Sequence, residues 1–344
     1  MNLHELLNEM TTHQASDLHL TAGLAPFMRV HGRLRRLPQP ALTGPQVLGL
    51  GQALMSEGQH GRWLAGEDVD GAADQAGLGR FRFNAFKHLR GPGLALRHIP
   101  QVLASLEALR VPKVLAELSL RGSGLLLVTG PTGSGKSSTL AALLQHLMQH
   151  QGGHVITIED PIEFIHDSPK ALIHQRELGS HTADFSQALR SALREDPDVI
   201  MVGELRDLPT ARLALSAAET GHLVLATLHT AGAARTVDRL IDMFPDKDMV
   251  RAMLSQSLLG IASQLLCASQ DGPRVAAHEV LVATPAVRHL IRENKVAQLY
   301  SAMQSGAASG MQTLEQSLAA LVRQQLISAE QARSQARNLD NMTL

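Results

Sequence analysis

LLLVTGPTGSGKSSTL, residues 125–140, decides how the chain is read. The apolar run Leu125–Val128 predicts a buried strand, and the residues after Gly135 predict a helix. Between them lies a turn with glycine at 130, 133 and 135. Strand, glycine-rich loop, Lys136-Ser137 and helix, in that order, form the pattern of a phosphate-binding loop. Successive backbone N–H groups curl round an anion only where side chains do not interfere, which accounts for the glycines. The helix that follows points its positive end at the same place. Gly130, Pro131, Thr132, Gly133, Ser134, Gly135, Lys136, Ser137 and Ser138 are therefore the candidate nucleotide-binding residues. Lys136 reaches the outer phosphates, and the Ser137 hydroxyl completes the coordination of Mg²⁺. A nucleoside triphosphate with Mg²⁺ is the expected ligand.

The 344 residues suggest about two domains. With 31 Lys+Arg against 32 Asp+Glu and 3% aromatics, neither a basic footprint nor a base-stacking platform for nucleic acid is expected. One cysteine, Cys267, excludes an internal disulfide and a cysteine-based zinc site, and suits a cytoplasmic protein. MNLHELLNEM has no basic n-region and does not resemble a signal peptide. Ala252–Gln270 is uncharged but studded with serine and glutamine, so it reads as a packed helix and no transmembrane segment is expected.

The first hundred residues read as a small α/β domain with a mainly antiparallel sheet. Leu3, Leu6, Leu7 and Met10 fall at helical spacing; residues 16–20, 27–30, 34–37, 80–84 and 94–99 read as strands, with a hairpin turn at His31-Gly32. Thr43 and Pro45 mark a helix start. A linker is expected at 100–113, and the second domain at 114–344. Arg80, Arg82, Arg90 and Arg97 line the last two strands of the first domain; they form either a solvated face or a group that reaches a bound triphosphate.

In the second domain, short apolar strands (125–128, 154–158, 199–202, 223–228) alternate with helices (138–150, 183–195, 210–218), which predicts a largely parallel sheet covered by helices. Ligands of such sheets lie at the carboxyl ends of the strands. One strand runs into Glu159-Asp160-Pro161-Ile162-Glu163, three carboxylates in five residues, which is either a Mg²⁺ or water site or a surface acidic turn. The next ends in Gly203-Glu204, where an acidic residue beside a phosphate-binding loop polarises water. Arg190 and Arg194, four apart, either neutralise a phosphoryl group or pair with Glu195 or Asp196. His222 and His229 bracket the fourth strand, with hydroxyls beside them, and are read as γ-phosphate sensors. The remainder reads as mostly helical, with starts at Thr284-Pro285 and at Ser328.

GPTGSGKS, ITIEDPIEF, ALREDPDVIMVGELRD and TGHLVLATLHT, in this order, closely resemble the hexameric ATPases of type II secretion and type IV pili. ASDLHL, GLGRFRFNAF, RVAAHEVL and GMQTLEQSL resemble the pilus-retraction branch, the PilT family. The resemblance implies a PAS-like N-terminal domain, a RecA-like ATPase domain, and a homo-hexamer. It implies a motor at the cytoplasmic face of the inner membrane, acting on a pilus platform protein, with a paralogous accessory ATPase as a further partner. It also implies roles: Lys136 and Ser137 in Walker A, Glu159, Asp160 and Glu163 in an Asp box, Glu204 as the Walker B glutamate that activates water with Glu163 as its partner, His222 and His229 in a His box. Arg82, Arg97, Arg190 and Arg194 match positions whose arginines approach the phosphates. One departure is His289, which replaces the branch's usual asparagine in the helix AVRHLIRE. An accessory retraction ATPase, an assembly or secretion ATPase and a non-hydrolysing ring subunit are the alternatives.

Overall fold

The computed structural model describes residues 2–30, 32–99, 103–270, 272 and 274–342. His31 of the expected hairpin turn and residues 100–102 of the expected linker lie outside them. The chain divides into two compact units, 1–102 with 161–165 and 103–160 with 166–344.

The first unit opens with α1 (Leu3–Thr12), whose N-terminus is closed by a capping box of Asn2 and Glu5 and whose Leu3, Leu6, Leu7 and Met10 are buried. It continues through β1 (Asp17–Thr21), β2 (Phe27–Val30), β3 (Arg33–Arg36), α2 (Gly44–Gln52), α3 (Glu57–Ala65), β4 (Val69–Gln75), β5 (Gly79–His88) and β6 (Gly91–Ile99). The six strands pair antiparallel in the order β3-β2-β1-β6-β5-β4. Alternation on β5 turns Phe81, Phe83 and Ala85 inward and leaves Arg80, Arg82 and Asn84 on the other face. Trp63, fully buried, donates from its indole N–H to the Phe86 carbonyl at 3.1 Å. The stretch 66–79, polar and glycine-rich, contains β4, an edge strand that the sequence reading leaves out; α3 is likewise additional.

The second unit comprises α4 (Lys113–Ser119), β7 (Gly124–Thr129), α5 (Lys136–His150), β8 (Gly153–Glu159), β9 (Ala171–Glu177), α6 (Phe185–Ala192), β10 (Val199–Val202), α7 (Leu208–Glu219), β11 (Leu223–Leu228), α8 (Ala233–Asp242), α9 (Lys247–Ser257), β12 (Leu258–Cys267), β13 (Val275–Val282), α10 (Pro285–Arg292), α11 (Leu299–Ser305), α12 (Leu314–Arg323) and α13 (Ala329–Gln335). Its seven strands run β13-β12-β7-β11-β10-β8-β9, all pairs parallel except β12 with β13. The central strands are buried on both sides. Leu126, Val128, Met201 and Leu225 pack with Leu143, Leu144 and Leu147 of α5, while Leu125, Leu127, Val202 and Ala226 pack with Leu189, Leu215 and Leu240 on the other face. Burying each such leucine contributes about 1.5–3 kcal/mol. This is an α/β fold with a largely parallel sheet, as the sequence predicts.

One reading changes. Ala252–Gln270 is not one helix: α9 ends at Ser257, and β12 follows directly as a sheet strand. β12 and β13 form an antiparallel hairpin that extends the sheet, and the chain beyond β13 is mostly helical, as the sequence predicts. Among the described residues no helix is long and apolar enough to cross a membrane.

Candidate active site

The loop between β7 and α5 is built by contacts that leave no room for side chains. Gly130 has φ +144°, and a Cβ there would lie 2.2 Å from the Gln264 carbonyl oxygen and 2.6 Å from Ser134 Oγ. Gly135, at φ +87°, is the N-cap of α5 and supplies no side-chain cap. The first N–H groups of that helix are thus left for an anion. Pro131, Thr132, Gly133 and Ser137 are exposed, whereas Ser134 and Lys136 are buried and Gly135 and Ser138 are half-buried. Lys136 Nζ donates to the carbonyls of Gly130 (2.9 Å) and Pro131 (3.0 Å), which holds the ammonium against the loop. Gln264 on β12 donates from Nε2 to Ser134 O at 2.6 Å and braces the loop from below. Ser134 Oγ and Gln264 Oε1 are buried without a hydrogen-bond partner among the described residues. These features suit a nucleoside triphosphate.

Strand ends beside the loop carry the acidic residues. Gly203 N–H donates to Ile158 O at 2.8 Å, Leu205 N–H donates to Thr227 O at 2.9 Å, and Thr227 Oγ1 donates to Gly203 O. Glu204 therefore stands on a backbone fixed to β8 on one side and β11 on the other. Its Oε1 lies 3.3 Å from His229 Nε2 and its Oε2 accepts from Arg206 Nε at 2.8 Å. His229 Nδ1 in turn lies 3.4 Å from Thr132 Oγ1 on the phosphate-binding loop. Arg206 also reaches Asp160 Oδ2, at 3.1 Å. Its hydrogen bond to Glu204, joined by Asp160, raises the guanidinium above its ordinary pKa. Thr132, His229, Glu204, Arg206 and Asp160 form one continuous polar chain.

The other candidates are placed less uniformly. Glu159 is buried, and its Oε1 accepts from Thr157 Oγ1 at 2.7 Å and Gln175 Nε2 at 3.1 Å. Glu159 is thus held by protein donors, and Asp160 by Arg206. No group of three or more His, Cys, Asp or Glu side chains that could hold a metal occurs among the described residues. The residues that could hold magnesium are Ser137 on the loop, with Glu159 and Asp160 at the end of β8. Glu163 lies in the 161–165 segment that belongs to the first unit. His222 precedes β11 and His229 follows it, so its six residues and the flanking bonds put the two histidines about 20 Å apart. β11 runs parallel to β7, so only His229 shares an end with the loop. His222 instead sits 3.1 Å from the Ala217 carbonyl through Nδ1.

Arg190 and Arg194 are exposed, and neither forms an ion pair among the described residues. The helix ends at Ala192, so Arg194 sits beyond it; Glu195, one expected partner, is taken by Arg176 at 2.7 Å. In the first unit Arg82 and Arg97 are opposite each other on β5 and β6, and Asp17 is opposite Arg97 on β1. Asp17 pairs with Arg97 at 2.8 Å and lies 3.7 Å from Arg29. Like charges directly across a sheet repel, so this row carries excess positive charge on one face. His289 is exposed on α10, whose neighbouring Arg288 binds the Ala283, Ser255 and Gln256 carbonyls. The substitution at 289 leaves those bonds intact.

Parallel sheet, glycine loop and acidic strand ends define a P-loop nucleoside-triphosphatase. The chain belongs to the Type II/IV secretion system protein family, matched over residues 75–339, and within it to the PilT branch. It is 52% identical to the type IV pilus retraction ATPase PilT of Pseudomonas aeruginosa, over 99% of this chain and 100% of that protein. It is 38% identical to the type IV pilus ATPase PilU of the same organism, over 100% and 91%. A crystal structure of the pilus retraction motor PilT with bound ADP superposes with a TM-score of 0.93 at 43% identity, covering 99% of both chains. The chain is an ATPase.

Gln264 and Arg206 were not legible as site residues. Gln264 falls in the stretch read as a helix, and Arg206 carries no signal of its own beyond its place two residues after Glu204.

Proposed function

We propose that this chain is the subunit of a homo-hexameric, Mg-ATP-driven motor that retracts type IV pili from the cytoplasmic face of the inner membrane, through a platform protein in that membrane. The observation that carries the reading is the chain from Thr132 through His229 to Glu204. It ties the loop that holds the phosphates to the carboxylate that orients water, in a protein 52% identical to a retraction ATPase. The higher identity to PilT than to PilU favours the principal over the accessory ATPase.

Lys136 holds the outer phosphates and the loop N–H groups wrap them. Magnesium, when bound at Ser137, supplies charge neutralisation on the phosphates. Glu204 orients the attacking water and accepts its proton, with Glu163 as its partner. His229 reports the γ-phosphate to Glu204 through Thr132, and His222 has a role away from this chain's own loop. Arg82, Arg97, Arg190 and Arg194 stabilise phosphoryl charge in the assembled ring. The first unit acts as a PAS-like domain whose linker, 100–113, transmits the hydrolysis cycle as mechanical work.

The test is Mg-dependent ATP hydrolysis by the purified protein, sized in the same run, with Lys136→Ala and Glu204→Gln beside it and pilus counts in a deletion strain. A six-subunit particle, turnover lost in both variants and excess pili on deletion are expected. Turnover by Glu204→Gln refutes the site, and loss of pili on deletion refutes the direction.

A further inference from the structure

We infer that Arg206 is a positioning residue for hydrolysis, fixing by its bond to Glu204 Oε2 which carboxylate oxygen faces the phosphate-binding loop. The inference rests on the reading of Glu204 as the water-orienting group. A carboxylate at the end of a strand rotates about its terminal torsions unless both oxygens are held. Here Arg206 Nε holds Oε2 at 2.8 Å, which leaves Oε1 turned to His229 and, through it, to Thr132. The geometry of the guanidinium matters. Its Nε and a terminal nitrogen point to different partners, so one planar group joins Glu204 at the end of β10 to Asp160 just past β8. Without it, two carboxylates on neighbouring strands face each other uncompensated and Glu204 loses its fixed orientation.

Arg206 is suited to this task and to little else. Its side chain is 54% exposed, so it contributes little to the core. It directly precedes Asp207, whose side chain caps α7 by accepting from the Thr210 N–H. The arginine's backbone is therefore anchored at a helix start while its head spans the strand ends. Among the described residues the hydrogen bonds of the Arg206 side chain go to Glu204 and Asp160 and not to the phosphate-binding loop, so ATP binding itself is not expected to depend on it.

Arg206→Ala, Arg206→Lys and Glu204→Gln, assayed for Mg-ATP turnover, test the inference, with a fluorescent ATP analogue reporting affinity. Misplacing a catalytic group costs about 10²-fold in rate. Arg206→Ala should accordingly lose about that much in kcat, with unchanged KM and analogue affinity and an unchanged melting temperature. Arg206→Lys should recover part of the loss, since it keeps the charge but cannot bridge both carboxylates. Wild-type kcat in Arg206→Ala, or a loss confined to KM, overturns the inference. So does a loss that follows the melting temperature and is identical in Arg206→Lys. If Glu204→Gln keeps wild-type turnover, the role given to Glu204 fails first, whatever Arg206 does.

Discussion

Gly130 and Gly133 lie three residues apart in the same loop, yet replacing each by alanine should cost different amounts. Both have positive φ, +144° and +76°. An L-residue in the left-handed region costs about 1–2 kcal/mol, and this is the whole cost at Gly133, where nothing lies within 4 Å of the added Cβ. At Gly130 the methyl meets the Gln264 carbonyl oxygen at 2.2 Å. That obstacle is backbone of β12, paired to His278 of β13 at this residue and to β7 up to the preceding Ser263, and cannot swing away. Overpacking of this kind adds about 1–3 kcal/mol. Gly130→Ala should thus cost about 2–5 kcal/mol against about 1–2 for Gly133→Ala. Urea unfolding followed by circular dichroism, without nucleotide, measures both. Equal costs, or a larger cost at Gly133, refute the reasoning, because they would mean that the Gln264 backbone yields to the loop.

Gln264→Ala should lower nucleotide affinity and destabilise the protein by about 1–3 kcal/mol, by leaving the buried Ser134 carbonyl unpaired; unchanged nucleotide titrations and melts would count against the brace. Arg337→Ala should cost about 3–5 kcal/mol, since it strips the cation from Glu279, 3% exposed. Arg337→Ala with Glu279→Gln should be milder than the single change if the orphaned charge is the cause. His278 is buried, with its pKa lowered by desolvation to about 4, and His166 likewise. The unfolded chain takes up these protons near pH 6.5 and the folded one does not, so stability should fall as pH drops from about 6.5 toward 4. His278→Asn should flatten that limb in pH-dependent melts.

What the sequence revealed depended on how local the signal was. The strand before the loop, the loop and the helix after it are contiguous, so Lys136, Ser137 and the glycines were legible, as were Glu204 and His229 at strand ends. β12 was not. It lies between β7 and β13 with both faces buried, so it shows none of the alternation that marks a half-exposed strand, and it joins α9 without a turn. Gln264 was hidden with it. β4 was obscured for the opposite reason, as a polar edge strand with glycine where a β-branched residue is usual. His222 and His229 bracket one strand in sequence, and bracketing a strand places residues at opposite ends of it. Arg206 could be found only in three dimensions, because its partners come from two different strands.

The segment 161–165 has a consequence for exchanging parts between relatives. Arg80 Nε on β5 donates to the Ile162 carbonyl at 2.9 Å, so a piece of chain that leaves β8 completes the fold of residues 1–102. The N-terminal module is therefore assembled from two separate stretches of the gene. A chimera cut once near residue 102 would carry a mismatched insert, with Glu163 inside it. Grafting the module intact requires transplanting both stretches together.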